Sequence, residues 1–285
     1  MSISRQRSWR FLLQVFIAGV VAVAIWSILL MFFEESFIFF PSKYPSGYYD
    51  LAEHAQDIQN CWIVTEDSVR IHAWFIPAEH PVATAVVSHG NAGNISHRLD
   101  FLRHLQRTGF NVLMYDYRGY GRSEGTPSEA GIYLDGMAAF EYAARLPEVD
   151  SSRIILWGTS LGGAVAVDVA THCPAAGLIL ESTFTSAREV ASSAYPFLPF
   201  RFLLRTRLNS VDKIRTLSLP TLFLHGTKDR VIPFELGHKL FDSANEPKEF
   251  YSITGADHND TYSVGGSGYF EKVKHFALRA TSSHR

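Results

Sequence analysis

Short runs of β-branched and aromatic residues alternate with amphipathic stretches through most of this chain. The runs at Val69 to Ile76, Ala83 to Ser88, Val112 to Tyr115, Ile154 to Trp157, Gly177 to Leu180, Thr221 to Leu224 and Glu249 to Ile253 predict strands. Ala85-Val86-Val87 and Ile154-Ile155-Leu156 are continuously apolar, as strands are when helices cover both faces of a parallel sheet. Between the runs, the 3.6-residue pattern at Ser96 to Thr108, Glu129 to Arg145 and Leu161 to Thr171 predicts helices. The order is therefore one of βα repeats, without internal sequence repeats or low-complexity tracts.

The N-terminus follows a different pattern. Phe11 to Phe33 is an uncharged run of 23 residues, interrupted only by Gln14, Gly19 and Ser27. As a helix it would be roughly 34 Å long, enough to cross a hydrocarbon core of about 30 Å. Arg5, Arg7 and Arg10 precede it and Glu34 and Glu35 follow, which predicts a retained single-pass signal anchor. On this expectation residues 1–10 are cytoplasmic, residues 11–33 cross the membrane, 34–61 form a linker and domain entry, and 62–285 form one domain on the non-cytoplasmic side. The membrane bilayer is then a partner. A cleaved signal peptide, with Ala22-Val23-Ala24 as the small-residue site, is the competing expectation, although the apolar run continues to Phe33.

Charge removes other classes. With 26 Lys+Arg against 28 Asp+Glu, a net charge of −2 and no basic block beyond the first ten residues, no nucleic-acid partner is expected. Cys61 and Cys173 are too few and too far apart in sequence for a disulfide framework or zinc site; they are expected as packing residues, with a single disulfide between them as the alternative. The histidines His97 and His104 lack a paired metal-ligand pattern. No metal is expected.

The chemistry concentrates after the strand at Ile154 to Trp157. Gly158-Thr159-Ser160-Leu161-Gly162-Gly163 stands between that strand and the small-residue helix Ala164-Val165-Ala166-Val167. A tight strand-to-helix turn of this kind projects a serine hydroxyl above the sheet edge, with glycines where a Cβ would collide. Downstream, Asp229 lies just past one strand and His258 just past the next, giving the order Ser, Asp, His of a nucleophile, an orienting acid and a base. Glu181 is the best alternative acid, whereas Asp168 lies within the nucleophile helix and Asp257 is too close to His258 to orient its ring. The backbone N–H groups of Leu161 and Asn91 are the candidate oxyanion donors, Asn91 lying in the His89-Gly90-Asn91 turn after a buried strand.

These segments, with Ser88-His89-Gly90-Asn91, Asp116-Tyr117-Arg118-Gly119-Tyr120-Gly121-Arg122-Ser123 and Gly255-Ala256-Asp257-His258-Asn259, resemble the α/β-hydrolase superfamily from about Trp62 to the C-terminal helix. His89-Gly90-Asn91-Ala92-Gly93-Asn94 and His258-Asn259-Asp260-Thr261, together with the anchor, are similar to the single-pass branch of alpha/beta hydrolase domain proteins, whose relatives include protein depalmitoylases. The resemblance implies an α/β fold with an eight-stranded, mostly parallel sheet, helices on both faces and no cofactor. It also implies that Asp116 and Arg118 support the loop beneath the site and take no catalytic part.

Residues about 182–220, between two core strands, are expected to form a short helical cap. Their aromatic stretch Tyr195-Pro196-Phe197-Leu198-Pro199-Phe200 favours an acyl or lipidic substrate. The expected activity is cleavage of carboxylic esters or thioesters through an acyl-enzyme. A serine peptidase or amidase, and a catalytically silent scaffold, are the alternatives. Asn94-Ile95-Ser96 and Asn259-Asp260-Thr261 match the glycosylation acceptor but adjoin the site, so they are read as chance matches.

Overall fold

The computed structural model describes residues 3–53, 55–194 and 204–282, apart from some side chains within the helices. Helix α1 (Ile3–Ile38) is followed by a two-residue strand β1 (Phe40–Pro41) and a short helix α2 (Tyr49–Glu53). The domain then alternates β2 (Gln59–Val64), β3 (Arg70–Ile76), β4 (Ala83–Ser88), β5 (Ala92–Gly93), α3 (Leu99–Thr108), β6 (Phe110–Tyr115), α4 (Glu129–Arg145), β7 (Ile154–Thr159), α5 (Leu161–Ala170) and β8 (Gly177–Glu181). Helix α6 (Ala187–Ala194), helix Ser210–Ile214, β9 (Thr221–Gly226), helix Phe234–Ser243, β10 (Lys248–Ile253) and helix Thr261–Ser282 complete it.

Eight strands form one sheet in the order β10-β9-β8-β7-β4-β6-β3-β2, with β3 antiparallel to both its neighbours and every other pair parallel. The central strands β4, β6, β8 and β9 are buried at every position, the burial that their continuous apolar runs require. Helices α3 and Thr261–Ser282 cover one face through residues such as Leu102, Leu105, Tyr269 and Val273. Helices α4 and α5 cover the other through Ile132, Ala139, Val165 and Val169. The expected eight-stranded, mostly parallel sheet with helices on both faces is therefore present.

Local chemistry fixes the boundaries. Ser128 Oγ accepts the Gly131 N–H at 3.1 Å and starts α4, while Gly109 at φ 101° ends α3 with its N–H on the Leu105 and Gln106 carbonyls. The expected single helix from Ser96 to Thr108 is instead a 3-10 turn, Ile95–Arg98, followed by α3, because the Asn94 side chain caps the turn. Strand β2 straddles the expected boundary between the linker, 34–61, and the domain, 62–285. It is an edge strand that buries Cys61 and Ile63 and exposes Trp62 and Val64. Both cysteines are free, Cys61 buried and Cys173 half-buried.

The expected anchor falls within α1. Side chains at positions 24, 27, 28 and 30–33 lie outside the described residues, and among the described residues no helix is long and apolar enough to cross a membrane. The transmembrane span is accordingly not a finding of the fold. Of the expected cap, α6 and the segment from Leu204 to Pro220 are described, while the aromatic residues 195–203 lie outside the described residues.

Candidate active site

Because β4, β7, β9 and β10 are parallel neighbours or near neighbours, the loops leaving their carboxyl ends meet at one edge of the sheet. His89 to Asn91, Ser160, Asp229 and His258 lie on these loops.

Ser160 occupies φ 54°, ψ −116°, a conformation that non-glycine residues seldom adopt and that the surrounding structure must enforce. Its N–H donates to the Glu181 carbonyl at 2.8 Å, and its own carbonyl accepts from Gly163 N–H at 2.9 Å and Thr183 Oγ at 2.8 Å. The flanking glycines are needed for contact. A Cβ at Gly158 would stand 2.2 Å from the Gly162 carbonyl oxygen, and one at Gly162 would stand 1.9 Å from the Ser88 carbonyl oxygen.

The Ser160 hydroxyl is 3.0 Å from His258 Nε2, and His258 Nδ1 is 2.7 Å from Asp229 Oδ2. With Nδ1–H donating to the carboxylate, Nε2 is free to accept the serine proton. Asp229 Oδ1 accepts the N–H groups of Val231 and Ile232 at 2.9 and 2.8 Å. His225, at the end of β9, donates from Nε2 to the Ile232 carbonyl at 3.0 Å and lies 3.3 Å from Asp229 Oδ2. Burial would raise the Asp229 carboxyl, yet hydrogen bonds from His225 and His258 hold it well below the usual carboxylate range. An ionised acid that orients an imidazole beside a strained serine is the arrangement that activates a hydroxyl nucleophile.

The alternative acids are committed elsewhere. Glu181 is buried and its carboxylate accepts four neutral donors: Trp157 Nε1 at 3.3 Å, Thr159 Oγ at 3.1 Å, Tyr269 hydroxyl at 2.9 Å and Thr261 Oγ. Asp168 pairs with Lys213 at 2.6 Å, and Asp257 pairs with Arg230. Asp116 accepts the Ile95 N–H and the Tyr49 hydroxyl, both at 2.9 Å, and Arg118 bridges Asp67 and Asp135, so both serve the loop beneath the site.

Leu161 is the first residue of α5, so its N–H has no acceptor within the helix. Asn91 and Gly90 lie against the same cavity as Ser160, and a Cβ on Gly90 would be 3.6 Å from the Ser160 Cβ. The Asn91 side-chain oxygen accepts from the Phe40 N–H at 3.2 Å and the Tyr120 hydroxyl at 3.1 Å. Buried His89 donates from Nδ1 to the Gly90 carbonyl at 2.7 Å, and burial lowers its imidazole to about 4 despite the attraction of Asp116. Asn94 is fully buried with its amide nitrogen on the Ser42 and Ser46 carbonyls, which denies it to a glycan; Asn259 is exposed at the cavity. His97 Nδ1 accepts the Asn94 N–H, His104 stacks on Phe270 at 5.2 Å, and no cluster of metal-ligating side chains occurs among the described residues.

The cavity has a volume of about 1150 Å³. Beside Ser160 and His258, its lining is largely apolar, including Phe101, Phe184, Val190, Leu208 and Ile232. His225 and Glu181 are the functional neighbours that sequence order alone did not resolve. His225 carried a signal in the His-Gly pair that closes the strand before Asp229, whereas the partners of Glu181 come from elements far apart in sequence.

A family model described as serine aminopeptidase, S33, matches residues 79–211. The alpha/beta hydrolase domain-containing protein WAV2 of Arabidopsis thaliana is 35% identical over 270 residues, covering 85% of this chain and 87% of that protein. Protein bem46 of Schizosaccharomyces pombe is 33% identical over 276 residues, 91% of each chain. Among solved structures, the Pyrococcus furiosus esterase Pf2001 superposes with a TM-score of 0.69 at 21% identity, covering 85% of this chain and 98% of that one.

Proposed function

The chain belongs to the α/β-hydrolase family, and from that premise we propose that it is a membrane-anchored serine hydrolase cleaving carboxylic esters or thioesters of acyl chains. The observation that carries this is the hydrogen-bonded series Ser160, His258 and Asp229 at the wall of a large apolar cavity. In the proposed cycle His258 takes the Ser160 proton as the serine attacks the acyl carbonyl, and Asp229 stabilises the imidazolium. The N–H groups of Leu161 and Asn91 receive the oxyanion, each such donor being worth about 3 kcal/mol in the transition state. The protonated His258 then protonates the leaving group, and water, activated by the same imidazole, releases the acid. A fluorophosphonate probe should label the wild-type chain and leave Ser160→Ala unlabelled. Labelling that survives in the mutant, or fails in folded wild type, would refute the assignment.

The serine aminopeptidase description of the matching family model supports amide cleavage as a second reading. An aminopeptidase must hold a substrate ammonium group, which calls for an available carboxylate. The acidic residues lining the described cavity, Glu34 and Glu181, both have their carboxylate oxygens engaged by donors of the chain itself. The ester or thioester reading is therefore preferred, and release of p-nitroaniline from aminoacyl anilides at rates matching ester cleavage would reverse the preference.

Anchoring is supported by the uncharged sequence 11–33 and by the exposure of large apolar side chains on α1, among them Trp9, Phe11, Phe16 and Ile25. The arginines before the run place the catalytic domain on the non-cytoplasmic side in this proposal. Release of the protein from membranes by alkaline carbonate would overturn the anchoring, and protease protection of the domain in inside-out vesicles checks its side.

A further inference from the structure

The cavity beside Ser160 does not end at the sheet and its helices. Its lining continues to Trp26, Glu34 and Ile38 of α1 and to Phe40 immediately after it. Two separate ties hold α1 there. Glu34 is 4% exposed, and its carboxylate accepts the N–H groups of Arg205 and Thr206 at 3.1 and 2.6 Å. Glu129, at the start of α4, accepts the next two, from Arg207 and Leu208, at 2.7 and 2.8 Å. Four consecutive backbone donors on the chain returning from the insert are thus clamped between α1 and α4.

The second tie lies just past α1. Phe40–Pro41 pairs in parallel with Ala92–Gly93, the Phe40 N–H donates to Asn91 Oδ1, and the Asn94 amide donates to the Ser42 and Ser46 carbonyls at 2.9 and 2.7 Å. The His89-to-Asn94 turn, which carries a candidate oxyanion donor, is therefore also the receptacle for the chain leaving α1.

A helix serving only as a tether needs neither tie, since a flexible linker would do. A buried carboxylate committed to backbone donors fixes the helix in place and keeps Trp26 and Ile38 against the cavity. From Trp26 to Ile38 the helix covers about 18 Å along its axis, the reach of a long acyl chain and far more than an acetyl group requires. Trp26 is 53% exposed, so the wall it forms has the cavity on one side and the surroundings of α1 on the other.

We propose that α1 is a wall of the acyl-chain site and that Trp26 and Ile38 set the chain lengths the site accepts. This rests on the ester or thioesterase reading above. Each side chain would contact the acyl chain beyond its first few methylenes, so short and long substrates respond differently to its loss.

The test uses the full chain in detergent micelles, with p-nitrophenyl esters and matching thioesters from acetyl to palmitoyl. Wild type is compared with Trp26→Ala, Ile38→Ala and Ile38→Trp, each checked for folding by its thermal melt and by fluorophosphonate labelling. The ratio of kcat/KM for lauroyl over acetyl substrate should fall about tenfold in Trp26→Ala and Ile38→Ala, the low end of what one methylene is worth in an apolar pocket. Ile38→Trp should move the preferred substrate to a shorter chain. Ratios within twofold of wild type in the folded variants would overturn the inference while leaving the hydrolase reading intact. Wild type that cleaves no ester or thioester of any length would overturn both.

Discussion

Replacing Asp229 by Asn changes one oxygen for an NH2 group and tests how the site holds its imidazole. Asp229 Oδ1 satisfies the Val231 and Ile232 N–H groups, and stranding the buried Ile232 donor alone would cost about 1–3 kcal/mol. The amide oxygen of the substituted side chain therefore stays on those donors, and its NH2 faces His258 Nδ1 and His225 Nε2. His258 Nδ1 must then accept, which places the proton on Nε2 and presents a donor to the Ser160 hydroxyl that it should deprotonate. The expected fall in kcat is about 10⁴-fold, or about 5.5 kcal/mol of transition-state stabilisation. His225 Nε2 already donates to the Ile232 carbonyl, so a second conflict of donors should lower the melting temperature modestly. Steady-state hydrolysis of a p-nitrophenyl ester, paired with a thermal melt, separates the two effects. A folded Asp229→Asn enzyme within tenfold of wild type would show that the imidazole tautomer is not set by this carboxylate.

Three further outcomes follow from packing and charge. Unfolded chains protonate His89 near pH 6.5, whereas burial holds the folded imidazole at about 4, against Asp116 and assisted by Arg98 and His97. Its contribution to stability is complete above pH 6.5 and is lost as pH falls toward 4, by up to about 3 kcal/mol, and urea titrations at pH 7.5 and 5 should show a loss that His89→Gln reduces. Gly162→Ala would press a Cβ to 1.9 Å from a backbone oxygen and should prevent folding or cost several kcal/mol, whereas Gly255→Ala, at φ 85° with open space around it, should cost about 1 kcal/mol. Asn94→Ala removes the amide that bonds the Ser42, Ser46 and Ser96 groups and should destabilise by about 2–4 kcal/mol, with faster proteolysis between Ser42 and Tyr48 as the local readout.

Local patterns were legible wherever the boundary chemistry sits in the same few residues. The sequence-predicted bounds of β4 and α4 coincide with those observed, because a buried apolar run and a Ser128 cap mark them directly. Ser160, Asp229 and His258 could be singled out because chain order and strand ends are sequence properties, and the structure brings all three within hydrogen-bonding distance. Strand β2 escaped notice since its burial alternates over only a few residues, beginning with Gln59 and Asn60. Asn94 looked like a chance glycosylation match; its partners, Ser42 and Ser46, lie about fifty positions away, beyond any periodicity. The role of Glu34 was hidden for the same reason, its backbone partners lying in the insert.

The buried carboxylate of Glu181 touches both the residue before the nucleophile and the helix after the histidine loop, through Thr159 on one side and Thr261 and Tyr269 on the other. Peeling away the first turns of the C-terminal helix would take the Thr261 and Tyr269 hydroxyls from this carboxylate, leave it only Trp157 and Thr159, and loosen the elbow at the same moment. Loss of the start of that helix and loss of activity are thus one event, and no species frayed back beyond Tyr269 should still be an enzyme.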